Sequence, residues 1–261
     1  MEQDGFTIQS GGTMSASVRN AALALAALFL SFGLGLAFSE AGNDEFSAPD
    51  PWQENALVDV SIVNFDFLAP IVSINVGDMV RWTNNSTFNH TSTSGTPFDP
   101  IPGAIWDSGL ITPGNSFTFT FNSAGQYDYF CTPHQLTMFG QVIVGGSGIM
   151  VAAVPDDISP AGLANMDVNI AVINFTPNSV SGDLWYTVVL PNNNELVIPP
   201  QFLTPSQNPV SGTLTGNSRA DLMPTVHIPM NAPPGHYTIR AKIGNYPNGV
   251  IHSDEFEFDV P

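Results

Sequence analysis

From Asn55 to Gly145 the chain alternates apolar and polar residues with a period of two, broken every few residues by turn signals. No stretch in this region carries a convincing helical face, so local propensity leaves short strands as the building material. Val58 to Phe67 alternates, and Ile71–Val76 and Met79–Trp82 read as strands bent at Gly77-Asp78. After the Pro113-Gly114 turn, Phe117, Phe119 and Phe121 share one strand face. Ser123-Ala124-Gly125 turns again, after which Tyr127, Tyr129 and Cys131 point to one side, and Gln141 to Val144 closes the region. So many short strands in about ninety residues predict a two-sheet sandwich.

Cys131 is the only cysteine, and it opens the run Cys131-Thr132-Pro133-His134-Gln135-Leu136-Thr137-Met138. A thiolate, an imidazole and a thioether within eight residues suit copper better than other common biological metals. A single cysteine makes no intrachain disulfide, and in an oxidising compartment a lone thiol is a liability that metal ligation removes. The alternative is an inert core cysteine.

Apolar residues make up 43% of the chain, enough for a packed core. Five Lys+Arg against 23 Asp+Glu give a net charge of −18. Such a surface repels nucleic acid and anionic membranes and favours a basic partner; solubility or adaptation to salt accounts for it equally well.

Residues 1–39 read as a signal peptide: an apolar run from Ala21 to Phe38 follows Arg19, with small residues at Ala37, Ser39 and Ala41. An uncleaved N-terminal membrane anchor is the alternative. Residues 40–54 form a linker on this reading, and everything after about Glu40 lies outside the cytoplasm. The protein is therefore expected to be exported, periplasmic or extracellular.

Gly145-Gly146-Ser147-Gly148 and the Pro-rich stretch ending at Gly162 place a linker at 146–165, with Ile149 to Val154 as a candidate terminal strand inside it. From 166 to 261 the pattern is again all-β. Asp167 to Phe175 alternates, Leu184 to Leu190 is a strand, and Pro233-Pro234-Gly235 precedes alternating His236 to Lys242. Asp254, Glu255, Glu257 and Asp259 read as the solvated face of the last strand. His227, His236 and His252 are far apart, so a second metal site is not expected here.

The 55–145 segment resembles the cupredoxins of plastocyanin, pseudoazurin and amicyanin type. The likeness runs in order through Val76-Gly77-Asp78-Met79-Val80-Arg81-Trp82-Thr83-Asn84, His90, Asp107-Ser108-Gly109, Pro113-Gly114-Asn115-Ser116-Phe117, Ala124-Gly125-Gln126-Tyr127-Asp128-Tyr129, the ligand loop and Gly140-Gln141-Val142-Ile143-Val144. It implies a cupredoxin Greek-key sandwich, and the separate pattern Pro233-Pro234-Gly235-x-Tyr237-x-Ile239-x-Ala241 resembles the carboxy-terminal immunoglobulin-like sandwiches of exported microbial proteins, so the chain as a whole is expected to be all-β. The cupredoxin likeness carries the expectations for the site. It also implies one type 1 copper per chain, cycling between Cu(I) and Cu(II), with His90, Cys131 and His134 as the trigonal ligands and Met138 as the long axial one. With no open position for substrate, the implied role is electron transfer and not enzymatic catalysis. A c-type cytochrome or a terminal oxidoreductase would be the partner. Copper storage or delivery, and a surface protein using the fold as scaffold, are the alternatives.

Two departures from the family pattern stand out. Three residues lie between His134 and Met138 where relatives commonly have two or four, and Thr91 replaces the Asn that often follows the first histidine. The Thr91 N–H remains able to donate to the Cys131 sulfur, while a side-chain tie to Thr132 is less assured. By the same resemblance the His134 ring edge is the electron port, set in an apolar patch supplied by Pro133, Leu136, Phe139, Phe88 and Pro97. Otherwise Leu136 and Phe139 plug the end of the sandwich.

Overall fold

The computed structural model describes residues 55–261. The leader at 1–39 and the 40–54 linker lie outside the described residues. Within the described chain, helical geometry is limited to short 3-10 turns, and everything else regular is strand.

Eight strands build the first sandwich: β1 (Leu57–Val63), β2 (Asp66–Leu68), β3 (Ile71–Ile74), β4 (Met79–Asn84), β5 (Thr93–Ser94), β6 (Ser116–Thr120), β7 (Gly125–Phe130) and β8 (Phe139–Val144). One sheet runs β2-β1-β4-β6 and the other β3-β8-β7-β5. The expected unbroken alternation from Val58 to Phe67 is instead a hairpin, because Asn64 adopts φ 52° and pairs Val63 with Asp66. Asn tolerates that left-handed conformation, and the turn swings Phe65 out of the core parity it would have on a continuous strand. Asp78, at the anticipated bend, accepts backbone hydrogen bonds from Ala56 at 2.7 Å and Asn75 at 2.9 Å, which fixes the entry to β4.

The core between these sheets is aromatic. Trp82 stacks on Trp106 at 5.7 Å and meets Tyr129 edge-on at 5.3 Å, and Cys131 and Met138 belong to the same cluster. Gly140 lies under the Tyr129 ring; a Cβ there would collide with it.

Ten strands build the second sandwich: β9 (Ile149–Pro155), β10 (Met166–Asn174), β11 (Val180–Val189), β12 (Glu195–Val197), β13 (Leu203–Thr204), β14 (Val210–Leu214), β15 (Ser218–Leu222), β16 (Thr225–Val226), β17 (Gly235–Asn245) and β18 (Gly249–Val260). β9 takes up seven residues of the stretch assigned to the 146–165 linker, where Ile149 to Val154 was the candidate strand. Its apolar run pairs with β10 across seven residues, so the direct connection between the sandwiches is the short Gly145–Gly148 segment before it. The sheets are β13-β16-β10-β15, extended by β9 on β10, and β12-β11-β17-β18, extended by β14 on β11. The Tyr237 hydroxyl donates to the Pro233 carbonyl at 2.7 Å, the upstream tie of a tyrosine corner in immunoglobulin-like sandwiches.

The two sandwiches share a third apolar cluster. Ile71 and Ile143 of the first meet Ala152, Val154, Ala171 and Ile173 of the second. This explains two sequence runs. β8 is buried along almost its whole length, and β10 is buried on both faces in its second half, so neither alternates there.

Candidate metal centre

β7 ends at Phe130 and the chain turns at once into a 3-10 turn, Thr132–His134, with Pro133 near its start. The turn directs His134 back beside Cys131. Three backbone bonds shape the loop: His134 N–H to Cys131 O at 2.9 Å, Thr137 N–H to His134 O at 3.0 Å, and Cys131 N–H to Met138 O at 3.1 Å. The last closes the neck, so Cys131 and Met138 enter the core side by side.

His90 comes from the connection between β4 and β5. It exchanges backbone hydrogen bonds with Ile111, at 3.2 and 2.7 Å. Asn84, fully buried at the end of β4, donates to the carbonyls of Phe88 and Ile111, both at 2.7 Å, and accepts from the Ser86 N–H and hydroxyl. The Ser86 oxygen lies 2.9 Å from His90 Nε2. The Ser86 proton has acceptors in Asn84 Oδ1 at 2.8 Å and the Phe88 carbonyl at 3.2 Å, so its oxygen accepts from Nε2–H, and the His90 Nδ1 lone pair is free to face Cys131.

The three donor atoms converge. Cys131 Sγ is 3.6 Å from His90 Nδ1 and 3.4 Å from His134 Nδ1, and all three atoms lie within 4.8 Å of one another. The Thr91 N–H donates to Cys131 Sγ at 3.3 Å. The tie left in doubt by Thr91 is present in another form: its hydroxyl accepts from Thr132 N–H at 2.8 Å and contacts the Thr132 hydroxyl at 3.3 Å.

Burial pushes the Cys131 thiol up, with the Thr91 N–H opposing it, so the metal-free group keeps its proton at neutral pH. Burial lowers both imidazoles, and for His90 the neighbouring His134 adds to it. Two neutral imidazoles and a buried thiol that would release its proton to solvent on binding an ion form a borderline-to-soft donor set, which copper fits.

His134 is half-buried. The Phe65 ring meets it edge-on at 4.8 Å, and Phe65 packs on Phe88 at 4.9 Å. Phe65 and Phe88 are 45% and 49% exposed, so together with exposed Pro133 they present apolar surface next to His134. Leu136 and Phe139, expected in that patch or as end plugs, do neither: both pack against the core of the second sandwich. Pro97 lines the seam between the sandwiches beside Phe98, Phe139 and Ile158. Sequence reasoning missed Phe65 and Ser86. The Asn64-Phe65 pair inside an alternating run was the signal for the first; Ser86 carried none.

Residues 54–145 match the family described as copper binding proteins, plastocyanin/azurin family. Chloroplastic plastocyanin of Tetradesmus obliquus is 36% identical over 137 residues, covering 50% of this chain and 84% of its own. Amicyanin of Paracoccus versutus is 36% identical over 85 residues, covering 33% and 62%. The solved structure of Paracoccus versutus amicyanin aligns with 36% of this chain and 86% of its own, at 33% identity and a TM-score of 0.30. The chain belongs to the plastocyanin/azurin family of copper-binding proteins: it is a cupredoxin, and its cofactor is type 1 copper.

Proposed function

We propose that the protein is an exported single-electron carrier in which His90, Cys131 and His134 hold copper and Met138 is its weak axial ligand. The observation that carries this reading is the convergence of the three donor atoms in a buried pocket, with both Nδ1 atoms aimed at the sulfur. Copper bound there supplies a one-electron couple. The chain's own groups do the rest. The Ser86 hydroxyl holds the His90 tautomer, the Thr91 N–H stabilises the thiolate, and the Cys131–Met138 backbone bond keeps the loop neck closed. Ligands held in place on both sides of the couple keep the reorganisation cost low.

His134 is the outward route for the electron, and Phe65, Phe88 and Pro133 form a small apolar contact suited to brief docking. The partner is a redox protein such as a c-type cytochrome or a terminal oxidoreductase, and the net charge of −18 favours one with a basic face. Export rests on the apolar run Ala21 to Phe38 behind Arg19. In domain terms, 55–145 forms the cupredoxin domain, and the accessory sandwich of 166–261 takes in β9 as well.

The test is a Cu(II) titration of the metal-free protein. An intense red-region absorption that saturates at one equivalent and is absent in Cys131→Ser, with circular dichroism unchanged, is the expected result. Binding of Cu(I) alone without that band would favour storage or delivery, and no binding would leave the fold as scaffold.

A further inference from the structure

We infer that the second sandwich is a positioning element for the metal loop, holding Leu136 so that His134 and Met138 keep their place relative to Cys131. This rests on the ligand assignment proposed above.

Leu136 stands midway between His134 and Met138. Its carbonyl accepts a hydrogen bond from the Ile158 N–H at 2.9 Å, and its side chain packs into the cluster that contains Ile158 and Phe256. Ile158 is itself buried, just after β9, so the donor sits on a packed framework. Phe139, the residue after Met138, packs against the same cluster and against the one between the sandwiches. The loop is thus gripped from two sides. Thr91 holds Cys131 and Thr132 from within the first sandwich, and Ile158 holds the opposite limb from the second.

The seam under the loop is polar as well as apolar. Gln141, buried on β8, donates its amide to Asp128 at 2.7 Å and to Asp254 of β18 at 3.0 Å. Gln126 donates to the Val151 carbonyl at 3.2 Å. Gln126 lies on the strand that leads into Cys131 and Gln141 on the strand that leaves Met138. The second sandwich therefore fixes both limbs of the loop's base as well as Leu136.

A loop fixed in this way resists displacement when the ligands' demands change between oxidation states. Its weakest ligand, the thioether, is the one most dependent on the loop for its position. Loosening the grip lengthens that contact, which raises the potential.

The test compares Ile158→Ala and Leu136→Ala with Leu214→Ala, a truncation in the second core at a residue on β14 with no role in the loop. In the metal-free proteins, amide exchange at His134 and Thr137 is expected to rise about tenfold or more in the first two variants and to stay at the parent rate in Leu214→Ala. With copper bound, the midpoint potential is expected to move upward in the first two only. Unchanged exchange and potential in Ile158→Ala and Leu136→Ala, or an equal rise in Leu214→Ala, would overturn the inference. Absence of the red band in the parent would instead strike at the ligand assignment, and the metal-free exchange data would still decide whether the loop is gripped.

Discussion

Replacing Thr91 by Val tests whether a hydroxyl substitutes for the family's Asn beside the first ligand. Val has nearly the same shape, so the change removes hydrogen bonds without opening a cavity. The Thr91 oxygen accepts from Thr132 N–H at 2.8 Å and from Thr93 Oγ1 at 3.0 Å. The Thr93 hydroxyl has other partners, Thr132 Oγ1 at 3.0 Å and Asp107 at 3.3 Å, so it redirects at small cost. The Thr132 N–H has none, and an orphaned, partly buried donor costs about 1–2 kcal/mol. For a chain of this size that lowers the melting temperature by roughly 2–8 °C. The Thr91 N–H to Cys131 Sγ bond is a backbone bond and survives. Thermal unfolding of the metal-free protein gives the stability, and the copper spectrum gives the site. Copper should still bind, with Thr91→Ser near the parent in both measurements. A Thr91→Val protein as stable as the parent would refute the reasoning that this hydroxyl ties the two ligand segments together.

Three further outcomes follow from the same geometry. Burial, and then the neighbouring Asp128, push Asp254 up to about 7 from its ordinary 3.8; its folded form thus keeps a proton that the unfolded chain releases, and the stability present below pH 3.8 is lost as pH rises through about 7. Asp254→Asn should flatten that slope and gain on the order of 2 kcal/mol above pH 7 in urea titrations, while a slope as steep as the parent's would count against it. Ser86→Ala removes the side-chain partner of His90 Nε2–H and should weaken copper affinity by roughly 10–100-fold in competition with a chelator; unchanged affinity would show that the tautomer is set elsewhere, as by the Asn64 backbone that also bonds this ring. Met138→Leu should retain copper and raise the midpoint potential in voltammetry, and loss of the metal would remove Met138 from the role of weak axial ligand.

How much of this was legible beforehand varies with the physics involved. The Cys131 loop was readable because its ligands are local in sequence, and parity along β7 already placed Tyr127, Tyr129 and Cys131 on one face, where all three pack. His90, from a separate connection, was not derivable from spacing and entered through resemblance. Asp254 was read as solvated with Glu255, Glu257 and Asp259, yet it shares strand parity with buried Phe256 and Phe258. It faces the seam, where Gln141 and the Ala153 N–H satisfy it. Charge type outweighed period in that reading, and period was the better guide. Leu136 and Phe139 were misplaced because a contact between two sandwiches leaves no local signature. The extra packed face shows only in the structure, as the continuous burial of β8 and of the second half of β10.

The most direct test of the account is anomalous diffraction at the copper edge from crystals grown with one equivalent of Cu(II). A single peak enclosed by His90 Nδ1, Cys131 Sγ and His134 Nδ1, with the Met138 sulfur on its axial side, is the predicted result. Copper at His227, His236 or His252 instead, with nothing beside Cys131, would contradict it.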